Sequence, residues 1–183
     1  MLGDTDDALV QQVARGDRLA FARLVERHGG RLMALAVRIV GSRAVAEEIV
    51  QETFTRAWIA APKWQRKDGS ARAFSAWLSR VATNLAIDQV RKPATLPIEG
   101  APEPADPATD AVDALIAGEK LARLRAALAG LPPRQRAAVA LTYDQGLSNI
   151  EGAAALETSV GAFELLLVRA RRALRVAMTE DEA

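Results

Sequence analysis

The chain has 183 residues, enough for one ordinary domain or two small ones; half are apolar but only 4% aromatic, a balance that suits helices over sheets. With no cysteine and one histidine, His28, which reads as a polar residue near a helix end, disulfides, thiolate metal sites and a histidine-built metal site are excluded. Net charge is only +1, no run of about 18 apolar residues suggests a membrane span, and the acidic start MLGDTDDALV lacks an apolar signal segment, so secretion is not expected.

Apolar residues recur with a helical period, and no segment alternates with period two, so the expected fold is all-α. Asp4 is placed to cap a first helix reaching about Arg15, with Asp6 and Asp7 in its first turn. A second helix is expected from about Asp17 to His28, broken by Gly29 and Gly30 and resumed over Arg31–Val40. Gly41 ends that run, and Ser42 caps a helix over about Arg43–Ala61. A loop from Pro62 to Gly69 follows, then a long helix from Ser70 to about Arg91, stopped by Pro93. Five prolines lie between Pro93 and Pro107, so roughly 93–110 reads as an extended linker. Downstream helices are expected near 111–129, 133–144, 148–156 and 159–177, with Ser148-Asn149-Ile150-Glu151 as a capping box.

Charge follows the same division. Residues 1–92 hold 15 Lys/Arg and 10 Asp/Glu, residues 93–118 hold five acids and no base, and residues 119–183 hold 9 bases and 8 acids. The expected organisation is therefore two small helical domains, 1–92 and 113–183, joined by an acidic, proline-rich linker over 93–112. The basic first block permits a nucleic-acid ligand.

Three helix faces stand out. On helix 43–61, Val50, Phe54, Ala57, Trp58 and Ala61 form an apolar face, while Glu47, Glu48, Gln51, Glu52 and Thr55 gather on another. That acidic face is either plainly solvated or a docking surface for a basic partner. On helix 70–91, Phe74, Leu78, Val81 and Leu85 make the expected buried stripe. Beside it run Trp77, Arg80, Asn84, Asp88 and Arg91, preceded by Lys63, Trp64, Arg66, Lys67 and Arg72 in the loop. Such groups stack on bases, bond base edges and pair with phosphates, but Trp77 equally suits a core and Asp88 a surface ion pair. At the C-terminus, helix 148–156, a turn at Glu157-Thr158 and helix 159–177 have helix-turn-helix lengths, which a generic helical hairpin also fits. There Phe163, Leu166, Ala170, Ala173 and Leu174 are expected inward, and Glu164, Val168, Arg171 and Arg175 outward, flanked by Arg169 and Arg172.

These residues resemble a known family. IVQETFTRAW (Ile49–Trp58) is similar to the core of sigma region 2, and FSAWLSRVATNLAIDQVRK (Phe74–Lys92) to the helix of that region that melts and reads the promoter −10 element. LAGLPPRQRAAVALTYDQGLSNIEGAAAL (Leu128–Leu156) with VRARRALR (Val168–Arg175) resembles region 4. The order, the linker and the lack of a larger intervening domain resemble the extracytoplasmic-function type of RNA polymerase sigma factor. The resemblance implies a cytoplasmic transcription-initiation factor that needs no cofactor or metal and is not an enzyme. Its implied partners are core RNA polymerase, through the β′ clamp helices and the β flap, promoter DNA, and an anti-sigma protein. Glu47, Glu48, Gln51 and Glu52 would meet the clamp helices. The 63–72 loop and the Asn84 face would capture a flipped −10 base, at a few kcal/mol of unstacking. The helix after Thr158 would enter the −35 major groove, and the linker would thread the polymerase channels. Ser159, Arg169, Arg171 and Arg172 carry over from the family as −35 contacts, while Glu164 and Arg175 rest on their outward position.

One stretch departs from the family. SVGAFELLLVRARRALR places Ala162, Glu164, Leu165 and Leu166 where the family pattern has Thr, Lys, Ser and Arg, and Gly152 stands where a larger apolar residue is usual, which would loosen packing. The departure motivates an alternative, a sigma-like decoy without productive promoter recognition. An independent helix-turn-helix repressor is a second alternative. An enzyme finds no support, because no nucleophile–base set, phosphate loop or metal cluster stands out.

Overall fold

The computed structural model describes residues 5–64, 72–91 and 111–179, the backbone alone for 111–118. Asp4, Arg66, Lys67, Ser70 and the expected linker 93–110 lie outside the described residues. Eight α-helices occur among them: α1 (Asp6–Ala14), α2 (Arg18–Val40), α3 (Arg43–Ala60), α4 (Ala73–Arg91), α5 (Ala111–Ala129), α6 (Pro133–Tyr143), α7 (Asn149–Ala155) and α8 (Val160–Thr179). A 3₁₀ turn over Ala61–Lys63 follows α3, and no strand occurs among the described residues.

Side-chain caps fix the helix starts. Thr5 accepts from the Ala8 amide at 3.3 Å, Asp17 from Leu19 and Ala20 at 2.8 and 3.1 Å, and Ser42 from Val45 at 3.4 Å. The capping box at Ser148 is complete, with Glu151 accepting from the Ser148 amide at 2.8 Å. Gly41 ends α2 at φ 75°.

Gly29 and Gly30 do not break the chain; α2 runs through both. The buried stripe Leu24, His28, Leu32, Leu35 and Ile39 continues across the pair, and packing along it outweighs the roughly 1 kcal/mol each glycine costs a helix. His28 therefore sits mid-helix instead of at a helix end. It is 9% exposed, edge-on to Phe74, with its Nε2 2.9 Å from Asp6 Oδ2 in a close, bent contact that fastens α1 to α2.

The first group of helices centres on α2, against which α1, α3 and α4 pack around Leu9, Leu24, Leu35, Ile39, Phe54 and Leu78. In the second, α5, α6 and α7 gather on α8 around Leu131, Leu141, Leu156, Phe163 and Leu167. The two groups pack against each other: α6 lies on α2 and α4, and α7 lies on α4. This second cover changes what α4 buries. Phe74 and Leu78 are inside as expected, but Val81 and Leu85 are only partly covered, and Ser79, Ala82, Thr83, Ala86 and Ile87 are buried instead. A single-stripe expectation assumes one covered face, whereas helices pack on two sides of α4 and its small residues let them approach. On α8, Leu167 is buried and Ala173 exposed, so the inward line is Phe163, Leu167, Ala170 and the half-buried Leu174.

Candidate nucleic-acid and polymerase interfaces

The acidic face of α3 is built as the helical period requires. Ala46, Ile49, Thr53, Phe54 and Ala57 turn inward, leaving Glu47, Glu48, Gln51 and Glu52 in solvent. Arg43 donates to Glu47 at 3.2 Å and Arg56 to Glu52 at 2.7 Å, exposed (i, i+4) pairs worth about 0.3–0.5 kcal/mol each. Beside the carboxylates lies an open apolar groove lined by Phe21, Val25, Met33, Val50, Phe54 and Trp58, with Glu47 and Gln51 at its rim. Phe21 meets Phe54 and Trp58 edge-on, at 6.1 and 5.1 Å between centroids. An apolar trough with an acidic rim suits the basic, amphipathic face of a partner helix. Phe21 and Val25 were not singled out from sequence, although their (i, i+4) spacing along the edge of the buried stripe is a readable signal.

On α4 the structure brings most of the second constellation together. Trp64 and Trp77 join Phe74 in an aromatic cluster: Trp64 is edge-on to both, at 5.2 Å from Phe74 and 5.7 Å from Trp77, and Phe74 stacks on Trp77 at 6.1 Å. Trp77 is thus half-buried, a wall of the core that keeps part of its ring at the surface. Arg80, Asp88 and Arg91 are exposed and Asn84 partly so, along one side of α4; Lys63 and Arg72 are exposed at the turns that precede it.

Arg80 and Asn84 are already bonded. Arg80 Nη2 donates to Glu157 Oε1 at 2.9 Å and Asn84 Nδ2 donates to the same oxygen at 3.2 Å. Glu157 lies in the turn between α7 and α8, at φ +50°, the one non-glycine with positive φ among the described residues. Further bonds join the two helix groups. Arg38 grips the Asp144 carboxylate with two donors, Arg31 reaches the Gln145 carbonyl at 3.3 Å, and Gln145 Nε2 donates to the Arg31 carbonyl at 2.9 Å. Arg72 donates to the Gly146 carbonyl at 3.3 Å. Asp144, Gln145 and Glu157 have no signal in the sequence, because they act across a tertiary contact that periodicity does not reveal.

The third constellation forms a helix-turn-helix. α7 crosses α8 where Gly152 meets the Phe163 ring; a Cβ at Gly152 would stand 2.3 Å from a ring carbon. The small residue therefore admits the fully buried ring and tightens the pair, contrary to the looser packing expected of it. Ser159 Oγ accepts from the Ala162 amide at 3.2 Å and caps α8. Glu164 is held by Asn149, whose amide donates at 2.9 Å, and Arg171 donates to the Tyr143 hydroxyl at 2.9 Å. Arg169, Arg172 and Arg175 are exposed, as are the apolar Leu165 and Val168 just before them.

Helices α2 to α4 with the turn after α3, followed by a helix-turn-helix, define a class of DNA-directed transcription proteins, and comparison with known proteins agrees. Residues 24–95 match the family model Sigma-70 region 2 and residues 121–174 match Sigma-70, region 4. The chain is 32% identical over 177 residues to the ECF RNA polymerase sigma factor SigW of Bacillus subtilis, covering 91% of this chain and 92% of SigW. It is 37% identical over 169 residues to SigE of Mycolicibacterium smegmatis, covering 88% of this chain and 64% of the longer SigE. Among solved structures, CnrH in complex with the cytosolic domain of CnrY superposes with a TM-score of 0.69 at 30% identity, over 97% of this chain and 99% of CnrH. The sigma factor RpoE of Bartonella quintana, solved with the anti-sigma factor NepR, shares the fold at TM-score 0.67 and 24% identity, over 88% of this chain and 98% of that one. The chain belongs to the ECF sigma factors of the sigma-70 family.

Proposed function

We propose that the chain binds core RNA polymerase through α3 and opens promoters through α4. Glu47, Glu48, Gln51 and Glu52, with the adjoining apolar groove, dock basic clamp helices of β′. Lys63, Trp64, Arg66, Lys67 and Arg72 hold the −10 non-template strand, while Trp77, Arg80, Asn84, Asp88 and Arg91 stack on or bond its bases and pair with its phosphates. Ser159, Glu164, Arg169, Arg171, Arg172 and Arg175 present α8 to the −35 element and to its phosphates. In this reading residues 1–92 form the polymerase- and −10-binding domain, 93–112 the linker, and 113–183 the −35-binding domain, which also meets the β flap. CnrH was solved with a protein partner, and the match to it over nearly the whole chain supports control by an anti-sigma protein that covers these faces.

One feature carries the reading: an aromatic cluster at the start of α4 leads into a row of guanidinium and amide groups on the same helix. Base capture needs that pairing of a stacking platform with edge donors. The test is transcription in vitro with core polymerase on a library of promoter fragments. New start sites should depend on the chain. Asn84→Ala should reduce open complexes roughly tenfold or more while sparing core binding. Equal loss of both activities, or no new start site, contradicts the reading.

A further inference from the structure

We propose that Glu164, held in place by Asn149, reads a cytosine in the −35 element, and that Leu165 and Val168 beside it read thymine methyl groups. α8 then selects a pyrimidine-rich strand. The inference rests on the assignment of α8 to −35 DNA and names the bases it takes.

The start of α8 is slim and uncharged. Phe163, Leu167 and Ala170 are buried, which turns Gly161, Leu165, Val168 and Arg172 to the opposite side. Gly161 and Ala162 are exposed, and a Cβ on Gly161 would meet nothing within 4 Å. Such a helix end enters a groove deeply, and the N-terminal residues of a recognition helix are those that meet base edges. Beyond that first turn, the first long exposed side chains are Glu164 and Leu165, with Val168 one turn on. Leu165 is 47% and Val168 58% exposed, and the base-edge contact open to such apolar groups is the thymine C5-methyl.

Hydrogen-bond chemistry narrows the choice further. From Ser159 to Val168 the one charged residue is Glu164, and the stretch holds no lysine, arginine, asparagine or glutamine. Ser159 Oγ is taken by the Ala162 amide. The long polar side chain left to read an edge is therefore an acceptor only. Guanine shows the major groove two acceptors, which a carboxylate cannot pair. Adenine sets its N7 acceptor beside the N6 donor. Cytosine offers the N4 donor, and a carboxylate accepts from it.

Asn149 supplies what an isolated surface glutamate lacks. Its Nδ2, at the first residue of α7, donates to Glu164 Oε1 at 2.9 Å. That bond fixes the carboxylate before DNA arrives and leaves Oε2 for the base, so Asn149 is a positioning residue. The arginines at 169, 171, 172 and 175 follow on the next turns, where pairing with phosphates holds the helix without choosing a sequence.

The experiment uses holoenzyme assembled from core RNA polymerase and the full chain. A promoter fragment with a chain-dependent start site is randomised across its −35 segment, and transcribed barcodes are sequenced against the input DNA. The expected result is one position where cytosine is favoured about tenfold over guanine, next to a thymine preference. Glu164→Gln should move the first preference from cytosine to adenine, since a carboxamide pairs with both N6 and N7. Leu165→Ala with Val168→Ala should flatten the thymine preference. Asn149→Ala should cut the cytosine preference about threefold while the other −35 positions keep theirs. Circular dichroism checks that each variant folds. Guanine at that position, or a cytosine preference that Glu164→Gln leaves unchanged, overturns the reader while α8 keeps the −35 element. A thymine preference that survives the double alanine change overturns the methyl contacts. An Asn149→Ala loss that falls equally on all sequences overturns the positioning role. No base preference anywhere in the −35 segment overturns the reader together with the −35 assignment, and gives the apolar face of α8 to a protein.

Discussion

Gly152 and Asp6 show how much rests on single side chains. The Phe163 ring fills the space a Cβ would take, and both residues are buried, so Gly152→Ala forces the α7–α8 pair apart. A loss of about 1–3 kcal/mol is expected, read as a lower denaturant midpoint. Sequence gave the opposite expectation here, since a missing side chain looks like a void until the ring that fills it is placed. Burial is the largest influence on the Asp6 carboxyl and raises its pKa, but the close contact with His28 and the bond from Arg27 together outweigh it, so it titrates below its usual value. The folded pKa is thus depressed. The carboxylate contributes stability that is fully present above the unfolded value near 3.8 and is lost as pH falls through the folded value. Asp6→Asn should cost about 1–3 kcal/mol at pH 7, and its gap from the parent in thermal melts should close as pH falls below about 4. Asp6 was legible only as a favourable charge in a first helical turn; its partners lie on the next helix, beyond the reach of local pattern.

Helices were the most legible level. The starts at Asp17, Ser42 and Ser148 announce themselves because a capping side chain acts on amides two or three residues away. Glycine was misleading in α2, where Gly30 faces open space and the helix is held by its other side. Gly30→Ala should therefore stabilise the fold by about 0.5–1 kcal/mol, seen as a raised midpoint at unchanged m-value. On α3, Glu48→Lys with Glu52→Lys should weaken core-polymerase binding about tenfold, or about 1.4 kcal/mol, in a fluorescence titration. Stability should barely move, because the Glu52–Arg56 pair is half-exposed. Unchanged affinity would remove the acidic face from the docking surface. The α4 row was readable from spacing alone, whereas its true buried set was not, since a helix covered on two sides loses the single stripe that spacing predicts.

At the scale of the molecule, composition and proline placement suggested two helical units and an acidic connection, but nothing in them suggested that the units close on each other. Arg38 and Asp144, or Arg80 and Glu157, lie far apart in sequence and carry ordinary surface charges, so their pairing emerges only from the fold. A tethered pair of weak binders gains affinity when both are presented on one polymerase. The most direct measurement titrates core RNA polymerase into the full chain and then adds promoter fragments. The account predicts saturable binding and start sites that depend on the chain. A chain that never binds core polymerase, or that binds it and yields no new start site, would contradict it.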